Sequence, residues 1–279
     1  MRKKVKRNHR LVYIAQYLVN HPNQLVNLSV FTEYFDAAKS SISEDIQFVR
    51  EIFIENQLGL VQTVPGIKGG VIYYPEVPTG SIEECFGAIE SMVLEGNRIL
   101  PGNYINLNDV IHDPYILTQV AKLIASYYGQ HDVDVIMTIE TKGIGLATMV
   151  AHYMNIPFVI VRRDSTDMVG PTISVNYISG SHQIVKKMEL DKNSLASGSK
   201  VLIVDDFLRN GGTVNGLLSL LNEFDCKSVG ICVFAESVPK DNQALPDYQS
   251  VVDLQIKYYN EEKRFKLAVK PGTLLKENI

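Results

Sequence analysis

Two adjacent aspartates followed by a glycine pair are the residues of this sequence that point most directly to chemistry. The segment VLIVDDFLRNGGTVNG spans residues 201–216, and its four leading apolar residues are typical of a buried strand. Asp205 and Asp206 follow at once, although aspartates are poor core residues. Their carboxylates can accept hydrogen bonds from sugar hydroxyls, directly or through Mg²⁺ and its waters. Residues 211–213 then offer backbone N–H groups and a hydroxyl at a predicted helix start, which favours binding of a 5′-phosphate.

A second turn with anion-binding character lies in TIETKGIG, residues 138–145. Thr141, Lys142 and Gly143 stand between a predicted strand and a predicted helix, where glycine permits close approach of the backbone and the helix start attracts an anion. The alternative interpretation of this turn is a tight strand–helix turn that binds no ligand. The alternative interpretation of residues 205–213 is a capped turn whose aspartates serve solubility. The G-x-x-x-x-G-K-[ST] spacing of a Walker loop is absent.

The elements that must position these turns alternate along the second part of the chain. Apolar runs predict strands over residues 134–139, 157–163, 172–179, 184–190, 201–206, 228–237, 251–259 and 263–269. Helical periodicity at 143–154 and 213–224 separates some of these strands. The pattern predicts an α/β domain with a mostly parallel sheet covered on both faces. Ligands of such sheets bind beyond the carboxyl ends of the strands, where both turns lie.

The first 75 residues have a different pattern, with three short amphipathic helices followed by a hairpin. Helical spacing predicts the first helix over residues 10–21, and the capping-box spacing of Ser41 and Glu44 predicts the start of the third. Two β-rich runs flank PGIKGG, residues 65–70, and predict a hairpin with Lys68 at its tip. The predicted inner faces of the second and third helices consist of Val30, Phe31, Tyr34, Phe35, Ile42, Ile46, Val49, Ile52 and Phe53.

This order of elements is that of a winged helix-turn-helix, an α+β domain that reads DNA with the front of its third helix. A basic N-terminal arm, small polar side chains at the front of that helix and the lysine of the hairpin favour contact with phosphates and base edges. The predicted DNA-binding residues are Arg2, Lys3, Lys4, Lys6, Arg7, Arg10, Lys39, Ser40, Ser41, Ser43 and Lys68. A small helical interaction domain would use the same pattern and is the alternative.

Charge is unevenly distributed along the chain. The 279 residues carry a net charge of −4, yet residues 1–75 hold nine Lys and Arg against six Asp and Glu. A basic leading segment on an acidic body predicts a polyanionic partner, with a solvated terminus as the alternative. The length agrees with two domains, which we place at residues 1–75 and 76–279.

Composition also limits the class of protein. Hydrophobic residues make up 46% and charged residues 21%, which is ordinary for a soluble globular chain. The three cysteines have no C-x-x-C spacing, so we expect no zinc site or disulfide framework, and the sparse set fits a reducing cytoplasm. No apolar run approaches the length of a membrane span, and we therefore expect no membrane partner.

The run VLIVDDFLRNGGT closely resembles the 5-phosphoribosyl 1-diphosphate (PRPP) loop of type I phosphoribosyltransferases, and the resemblance of fold covers residues 76–279. It implies that the aspartate pair holds the ribose hydroxyls, that residues 207–213 surround the 5′-phosphate, and that residues 140–143 receive the diphosphate. The implied PRPP-binding residues are Asp205, Asp206, Phe207, Leu208, Arg209, Asn210, Gly211, Gly212, Thr213, Thr141, Lys142, Gly143, Tyr104 and Arg163.

Fusion with a winged helix extends the resemblance to the whole chain. Residues 21–46, 63–71, 98–109 and 141–147 are similar to the purine operon repressors of Gram-positive bacteria. This resemblance implies a cytoplasmic homodimer that represses purine biosynthesis genes by binding their control regions in double-stranded DNA. It also implies that PRPP releases the protein from this DNA. It also implies that guanosine tetraphosphate competes for the pocket, and that the segment around Tyr104 folds over the ligand. Whether Mg²⁺ accompanies PRPP stays open.

Two positions depart from the enzyme pattern. Arg209 and Asn210 stand where phosphoribosyltransferases mostly have small residues such as Ala-Thr or Ala-Ser. A large cation beside the phosphate loop suits anion binding and crowds the place of a nucleobase, so we expect ligand sensing with no catalytic residue and no required cofactor. Arg162 and Arg163 end a predicted strand at the same edge, where either meets the diphosphate or remains a surface charge. A catalytically active purine phosphoribosyltransferase with an accessory nucleic-acid-binding domain is the alternative function.

Overall fold

The computed structural model describes residues 5–66, 68–163, 170–179, 184–237, 245–260 and 264–277. The chain divides into two compact units, one formed by Met1–Pro78 with His152–Asn155 and the other by Thr79–Ala151 with Ile156–Ile279. Three predicted DNA-binding residues, Arg2, Lys3 and Lys4, lie outside the described residues. Within the described ranges, every helix is too short or too polar to traverse a membrane.

The first unit is a winged helix-turn-helix, which confirms the predicted fold. Its elements are α1 (Arg7–Val19), α2 (Ser29–Phe35), α3 (Lys39–Glu55), β1 (Leu60–Val64) and β2 (Gly70–Tyr74). The two strands pair antiparallel, with Val64 opposite Gly70, so the connection that bears Lys68 forms the tip of the wing. Lys68 is exposed there, as an ion that meets a polyanion must be.

The core of the first unit differs in three positions from the predicted inner faces. Phe31, Phe35, Ile42, Ile46, Val49 and Phe53 are buried, but Val30, Tyr34 and Ile52 are exposed. A helix of seven residues such as α2 turns only a narrow arc toward its neighbours, because each residue rotates the side chain by about 100°. Tyr34 stacks instead on Tyr13, with ring centres 4.5 Å apart.

The start of α3 also differs from the prediction. The helix begins at Lys39 and its N-cap is Ala38, whose methyl group cannot accept a hydrogen bond. Ser41 therefore lies inside the first turn, and the predicted capping box with Glu44 is wrong. The three-residue spacing is shared by capping boxes and by ordinary helical turns, so the sequence signal did not separate them.

The second unit is built around one six-stranded sheet. Its elements are α4 (Thr79–Leu94), β3 (Ile99–Leu100), β4 (Tyr104–Ile105), α5 (Asn108–Ile111), α6 (Pro114–Tyr128), β5 (Val135–Ile139), α7 (Ile144–Met154), β6 (Phe158–Val161), β7 (Thr172–Ser179), β8 (Ile184–Asp191), β9 (Lys200–Leu208), α8 (Gly212–Glu223), β10 (Lys227–Glu236), β11 (Gln249–Tyr259), β12 (Arg264–Pro271) and α9 (Thr273–Lys276). The strand order is β12-β11-β10-β9-β5-β6.

This sheet is mostly parallel, as predicted. Only β12, at one edge, runs antiparallel to its neighbour, whereas β6, β5, β9, β10 and β11 are parallel. Strand β9 lies in the middle between β5 and β10, and the residues Val201–Val204 are completely buried. A central strand with both faces covered has no polar alternation, which explains its continuous apolar run. The strand thus carries the aspartate pair out of the core to the carboxyl edge of the sheet.

Candidate anion-binding site and nucleic-acid interface

A cavity of about 420 Å³ opens at the carboxyl ends of β5 and β9. Its lining brings together twelve of the fourteen predicted PRPP-binding residues, namely Tyr104, Thr141, Lys142, Arg163, Asp206, Phe207, Leu208, Arg209, Asn210, Gly211, Gly212 and Thr213. The two that do not line the cavity are Asp205 and Gly143. Its volume lies within the range of about 300–1,000 Å³ that small-molecule sites occupy.

The phosphate loop connects the end of β9 at Leu208 with the start of α8 at Gly212. Gly211 is the N-cap and has a φ of 75°, a left-handed conformation that glycine adopts without strain. A Cβ at this position would also lie 2.0 Å from Leu245 Cδ2. The first backbone N–H groups of the twelve-residue helix lack intrahelical acceptors, and the helix dipole adds partial positive charge. The loop therefore presents an anion site to the cavity.

The aspartate pair is divided by the geometry of the strand. We predicted that the strand ends with the pair, at residue 206, but β9 continues to Leu208, and successive side chains of a strand point to opposite faces. Asp206 lines the cavity, whereas Asp205 is 3% exposed and its Oδ1 accepts a hydrogen bond from Asp206 N at 2.9 Å. Burial, and then the neighbouring charge of Asp206, raise the pKa of Asp205 well above its usual range. Only one of the two carboxylates is thus presented to a ligand.

Gly143 packs directly on this buried carboxyl group. A Cβ at Gly143 would lie 2.6 Å from Thr138 Oγ1 and 2.7 Å from Asp205 Oδ1, so no side chain fits between the turn and the strands beneath it. Thr138 Oγ1 is itself buried and has no hydrogen-bond partner among the described residues. The glycine therefore permits close packing of the turn on β5 and β9, while Thr141 and Lys142 face the cavity.

The two arginines at the end of β6 have different roles. Arg162 Nη1 lies 3.0 Å from Glu140 Oε2, and the other carboxylate oxygen of Glu140 accepts a hydrogen bond from Arg163 N. The side chain of Arg163 lines the cavity. Glu140 thus binds one arginine and orients the backbone of the other, which leaves Arg163 as the arginine of this pair that can face a diphosphate.

A short hairpin, β3–β4, forms another wall of the cavity. The Arg209 guanidinium lies 5.7 Å from the ring centre of Tyr104, and Arg209 Nη1 donates a hydrogen bond to Gly102 O at 3.4 Å. Arg98 anchors the hairpin at its other end, since its guanidinium bonds both carboxylate oxygens of Asp109 at 2.6 and 2.8 Å. The hydrogen bond from Arg98 lowers the pKa of Asp109 to about 2. Arg209, which departs from the enzyme pattern, therefore connects the phosphate loop to this hairpin.

Five lining residues were not predicted from the sequence. They are Asn103, Ile105, Leu107, Ile111 and Ser237, whereas Glu140 belongs to the turn at residues 140–143 that the resemblance assigned to the diphosphate. Ser237 directly follows β10, so the rule that ligands bind at the carboxyl ends of strands would have found it. The apolar members come from the hairpin and α5, and nothing in their spacing separates a cavity wall from ordinary core.

The candidate nucleic-acid interface lies on the first unit. Lys39, Ser40 and Ser43 are exposed at the front of α3, and Ser41 is partly covered. Lys6 is also exposed, just before α1. These positions agree with the predicted surface, although contact with DNA at each residue stays a prediction.

Two of the predicted DNA-binding arginines bind a carboxylate of their own unit. Asp45 is fully buried, and its two oxygens accept hydrogen bonds from Arg7 Nε at 3.0 Å and Arg10 Nε at 2.6 Å. The Arg10 side chain is only 12% exposed, whereas that of Arg7 is 47% exposed. Arg10 therefore belongs to an internal ion pair and not to the free basic arm that the charge pattern predicted. Sequence order had grouped it with the arm, because the partner stands 35 residues away.

Comparison with known proteins matches both parts of the chain. Residues 6–75 match the N-terminal domain of the bacterial purine repressor, and residues 108–268 match the phosphoribosyl transferase domain. The purine biosynthesis transcriptional activator of Lactococcus lactis subsp. lactis is 46% identical over 89% of this chain and 92% of its own length. The purine biosynthesis transcriptional repressor of Bacillus subtilis is 42% identical over 90% of this chain and 88% of its own.

A likeness among solved structures concerns the second unit. Adenine phosphoribosyl transferase from Trypanosoma brucei has a TM-score of 0.50 and 17% identity, and the match covers 60% of this chain and 71% of that one. At this identity the likeness supports the fold alone.

Proposed function

This chain belongs to the family of bacterial purine biosynthesis transcriptional regulators, and from that premise we propose that its cavity binds PRPP and that PRPP releases the protein from DNA. The chain is a regulator of purine biosynthesis genes that binds DNA through its winged helix. The relatives are named both activator and repressor. We propose repression for this chain. PRPP is a substrate of purine biosynthesis, so a supply of PRPP should relieve repression of the purine genes.

One observation carries the PRPP proposal, namely three complementary groups around a single cavity. Asp206 offers a carboxylate to ribose hydroxyls, the start of α8 offers backbone N–H groups to the 5′-phosphate, and Lys142 offers a cation to the diphosphate. Hydrogen bonds between backbone N–H groups and a phosphate, or between hydroxyls and a carboxylate, are charge-assisted and about twice as strong as neutral ones. A ribose bearing phosphate groups at both ends satisfies all three.

Two further cations extend this arrangement. Arg163 lines the diphosphate side, and Arg209 lines the phosphate loop. We propose that Mg²⁺ enters with the ligand's own diphosphate. Of the two carboxylates in the described lining, Glu140 is already bound by Arg162, which leaves Asp206 to hold a metal through water.

Guanosine tetraphosphate is the proposed competitor. The lining contains an apolar side formed by Ile105, Leu107 and Ile111, together with the ring of Tyr104. Leu107 and Ile111 are already buried, so a purine base would pack on the partly exposed Ile105 and Tyr104, and PRPP has no apolar group that could do so. The two ligands would share the anion-binding loop and differ in their use of this apolar wall.

We propose that the pocket senses its ligand without catalysis and that the protein acts as a cytoplasmic homodimer. Arg209 supports the first point, because its contacts with Gly102 and Tyr104 occupy space beside the phosphate loop. The alternative, an active purine phosphoribosyltransferase, predicts conversion of PRPP and a purine base to a nucleotide by the purified protein. Sedimentation of the full chain tests the dimer.

The proposal is tested by titrating PRPP, with and without Mg²⁺, into the full-length protein and into Asp206→Asn. Loss of one charged hydrogen-bond acceptor should weaken PRPP binding about 10- to 150-fold, from the 1.5–3 kcal/mol typical of such bonds. Asp132→Asn is the matched control, because Asp132 is exposed and precedes β5 at the opposite, amino-terminal edge of the sheet.

The regulatory part is tested on fluorescent duplexes from purine gene control regions. PRPP should lower the affinity of the wild type for DNA, and it should have little effect on Asp206→Asn. PRPP binding that leaves DNA affinity unchanged would refute release, and equal PRPP affinity of the wild type and Asp206→Asn would refute the assignment of the cavity.

A further inference from the structure

The exposed surface of α3 is divided into two faces of different chemistry. At about 100° per residue, Lys39, Ser43, Gln47 and Arg50 fall within a sector of about 80°. All four are exposed, and so is Ile54, which falls in the same sector in the last turn of the helix. The next sector carries acidic and apolar side chains, namely Glu44, Phe48, Glu51, Ile52 and Glu55, and the third sector is the buried face that contains Ile42, Ile46 and Val49.

The acidic and apolar face lies on the side of α1. Arg7 of α1 lies over the ring of Phe48, 4.3 Å from its centre, and lies 3.9 Å from Glu44. Three glutamates on this face would repel DNA phosphates along the helix. The face with Lys39 and Arg50 is turned away from Arg7 and has cations near both of its ends. DNA is therefore expected to approach α3 from the Lys39–Arg50 side.

Gln47 lies at the centre of that side and its amide is already oriented. Its Nε2 donates one hydrogen bond to Glu51 Oε1 at 2.9 Å, within the same helix. An amide nitrogen carries two donor hydrogens, so one N–H and the carbonyl oxygen of Gln47 remain for another partner. A donor beside an acceptor is the pattern that pairs with N7 and N6–H₂ of adenine in the major groove.

We propose that Gln47 reads an adenine in the major groove and that Arg50 contacts a phosphate of the same site. The sequence did not single out either residue, because they follow the helix front by one to three turns. The assignment rests on the DNA-binding function of the winged helix and is independent of the ligand cavity.

The test selects binding sites from a pool of 30-base-pair duplexes with a randomised core, using full-length wild type, Gln47→Ala and Gln47→Glu. We expect the wild-type consensus to contain an adenine whose preference disappears with Gln47→Ala, at a loss of about 5- to 150-fold for the consensus duplex. Gln47→Glu should shift the preference at that position toward cytosine, since a carboxylate accepts from the cytosine amino group.

Arg50→Ala should weaken all duplexes similarly and reduce the slope of log affinity against log salt by about 1, while Arg50→Lys should retain the slope. The matched control is Gln16→Ala, which makes the same change at an exposed position of α1. An unchanged consensus and affinity for Gln47→Ala, or a wild type that selects no consensus, would overturn the proposal for Gln47. A salt slope unaffected by Arg50→Ala would overturn the proposal for Arg50.

Discussion

The buried ion pair between α1 and α3 allows a quantitative prediction for the first unit. Asp45 has no exposed surface, and its carboxylate bonds Arg10 at 2.6 Å and Arg7 at 3.0 Å. Asp45→Ala would leave the Arg10 guanidinium, whose side chain is only 12% exposed, without its counter-charge. Arg7 is half-exposed and can be solvated by water, so Arg10 determines how much stability the unit loses in Asp45→Ala.

Removal of one partner from a buried ion pair costs about 3–5 kcal/mol, because the remaining charge stays desolvated. Loss of the exposed contact between Arg7 and Glu44, at 3.9 Å, costs at most about 1 kcal/mol. We therefore expect Asp45→Ala to lower the free energy of unfolding of the first unit by about 3–5 kcal/mol, and Glu44→Ala, the matched control, to leave it nearly unchanged. Arg10→Met combined with Asp45→Leu should recover most of the loss, since it removes both buried charges.

Native-state hydrogen exchange measures this unit separately from the other. If amides of α3 exchange through unfolding of the first unit, Asp45→Ala should accelerate their exchange about 150- to 5,000-fold, while amides of β9 keep their rates. An acceleration below about 5-fold, equivalent to 1 kcal/mol, would contradict the argument that Arg10 depends on Asp45.

Three further predictions concern other sites. Asp205→Asn should raise the melting temperature at neutral pH. Burial raises the pKa of Asp205, so ionisation of this carboxyl destabilises the fold increasingly as pH rises through that raised value. The difference in melting temperature between the variant and the wild type should therefore narrow as pH falls toward about 4, and a constant difference in thermal scans would contradict this. Gly143→Ala should cost about 1–3 kcal/mol in thermal or urea unfolding and weaken PRPP binding in calorimetry, because its Cβ would overlap Thr138 Oγ1; unchanged stability would contradict the packing described for this turn. Lys68→Ala should weaken binding to all duplexes and lower the salt slope by about 1 in a fluorescence titration, and a change confined to one sequence would exclude a phosphate contact.

Local patterns predicted the first unit well where one periodicity decides the structure. The three helices, the hairpin and the buried Phe31 and Phe53 followed from spacing alone. The ion pair of Arg10 with Asp45 was not predictable, because it depends on how α1 and α3 pack and the partners are far apart in sequence. Isolated charge counts assign such an arginine to the surface, where most arginines lie.

The second unit shows the same limit within a single motif. The resemblance to the PRPP loop grouped residues 206–213 into one site, and all of them line the cavity. It treated Asp205 and Asp206 as equivalent, but β9 continues past both and the alternation of a strand separates them. The apolar wall at Leu107 and Ile111 was not predictable, since buried leucines and isoleucines are the most ordinary residues of any core.

Tight binding of PRPP would not by itself make this chain a switch. A ligand with equal affinity for the DNA-bound and DNA-free protein leaves DNA affinity unchanged, however strongly it binds. Regulation therefore requires a contact whose free energy differs between the two states, and any factor by which PRPP weakens DNA binding must equal the factor by which DNA weakens PRPP binding. An arriving phosphate competes with Gly102 and Tyr104 for the Arg209 guanidinium, so we propose that these contacts are the ones that change between the two states. Titrations in both directions should consequently give one coupling factor, and Arg209→Lys, which keeps the charge without the planar guanidinium, should reduce that factor more than it reduces PRPP affinity.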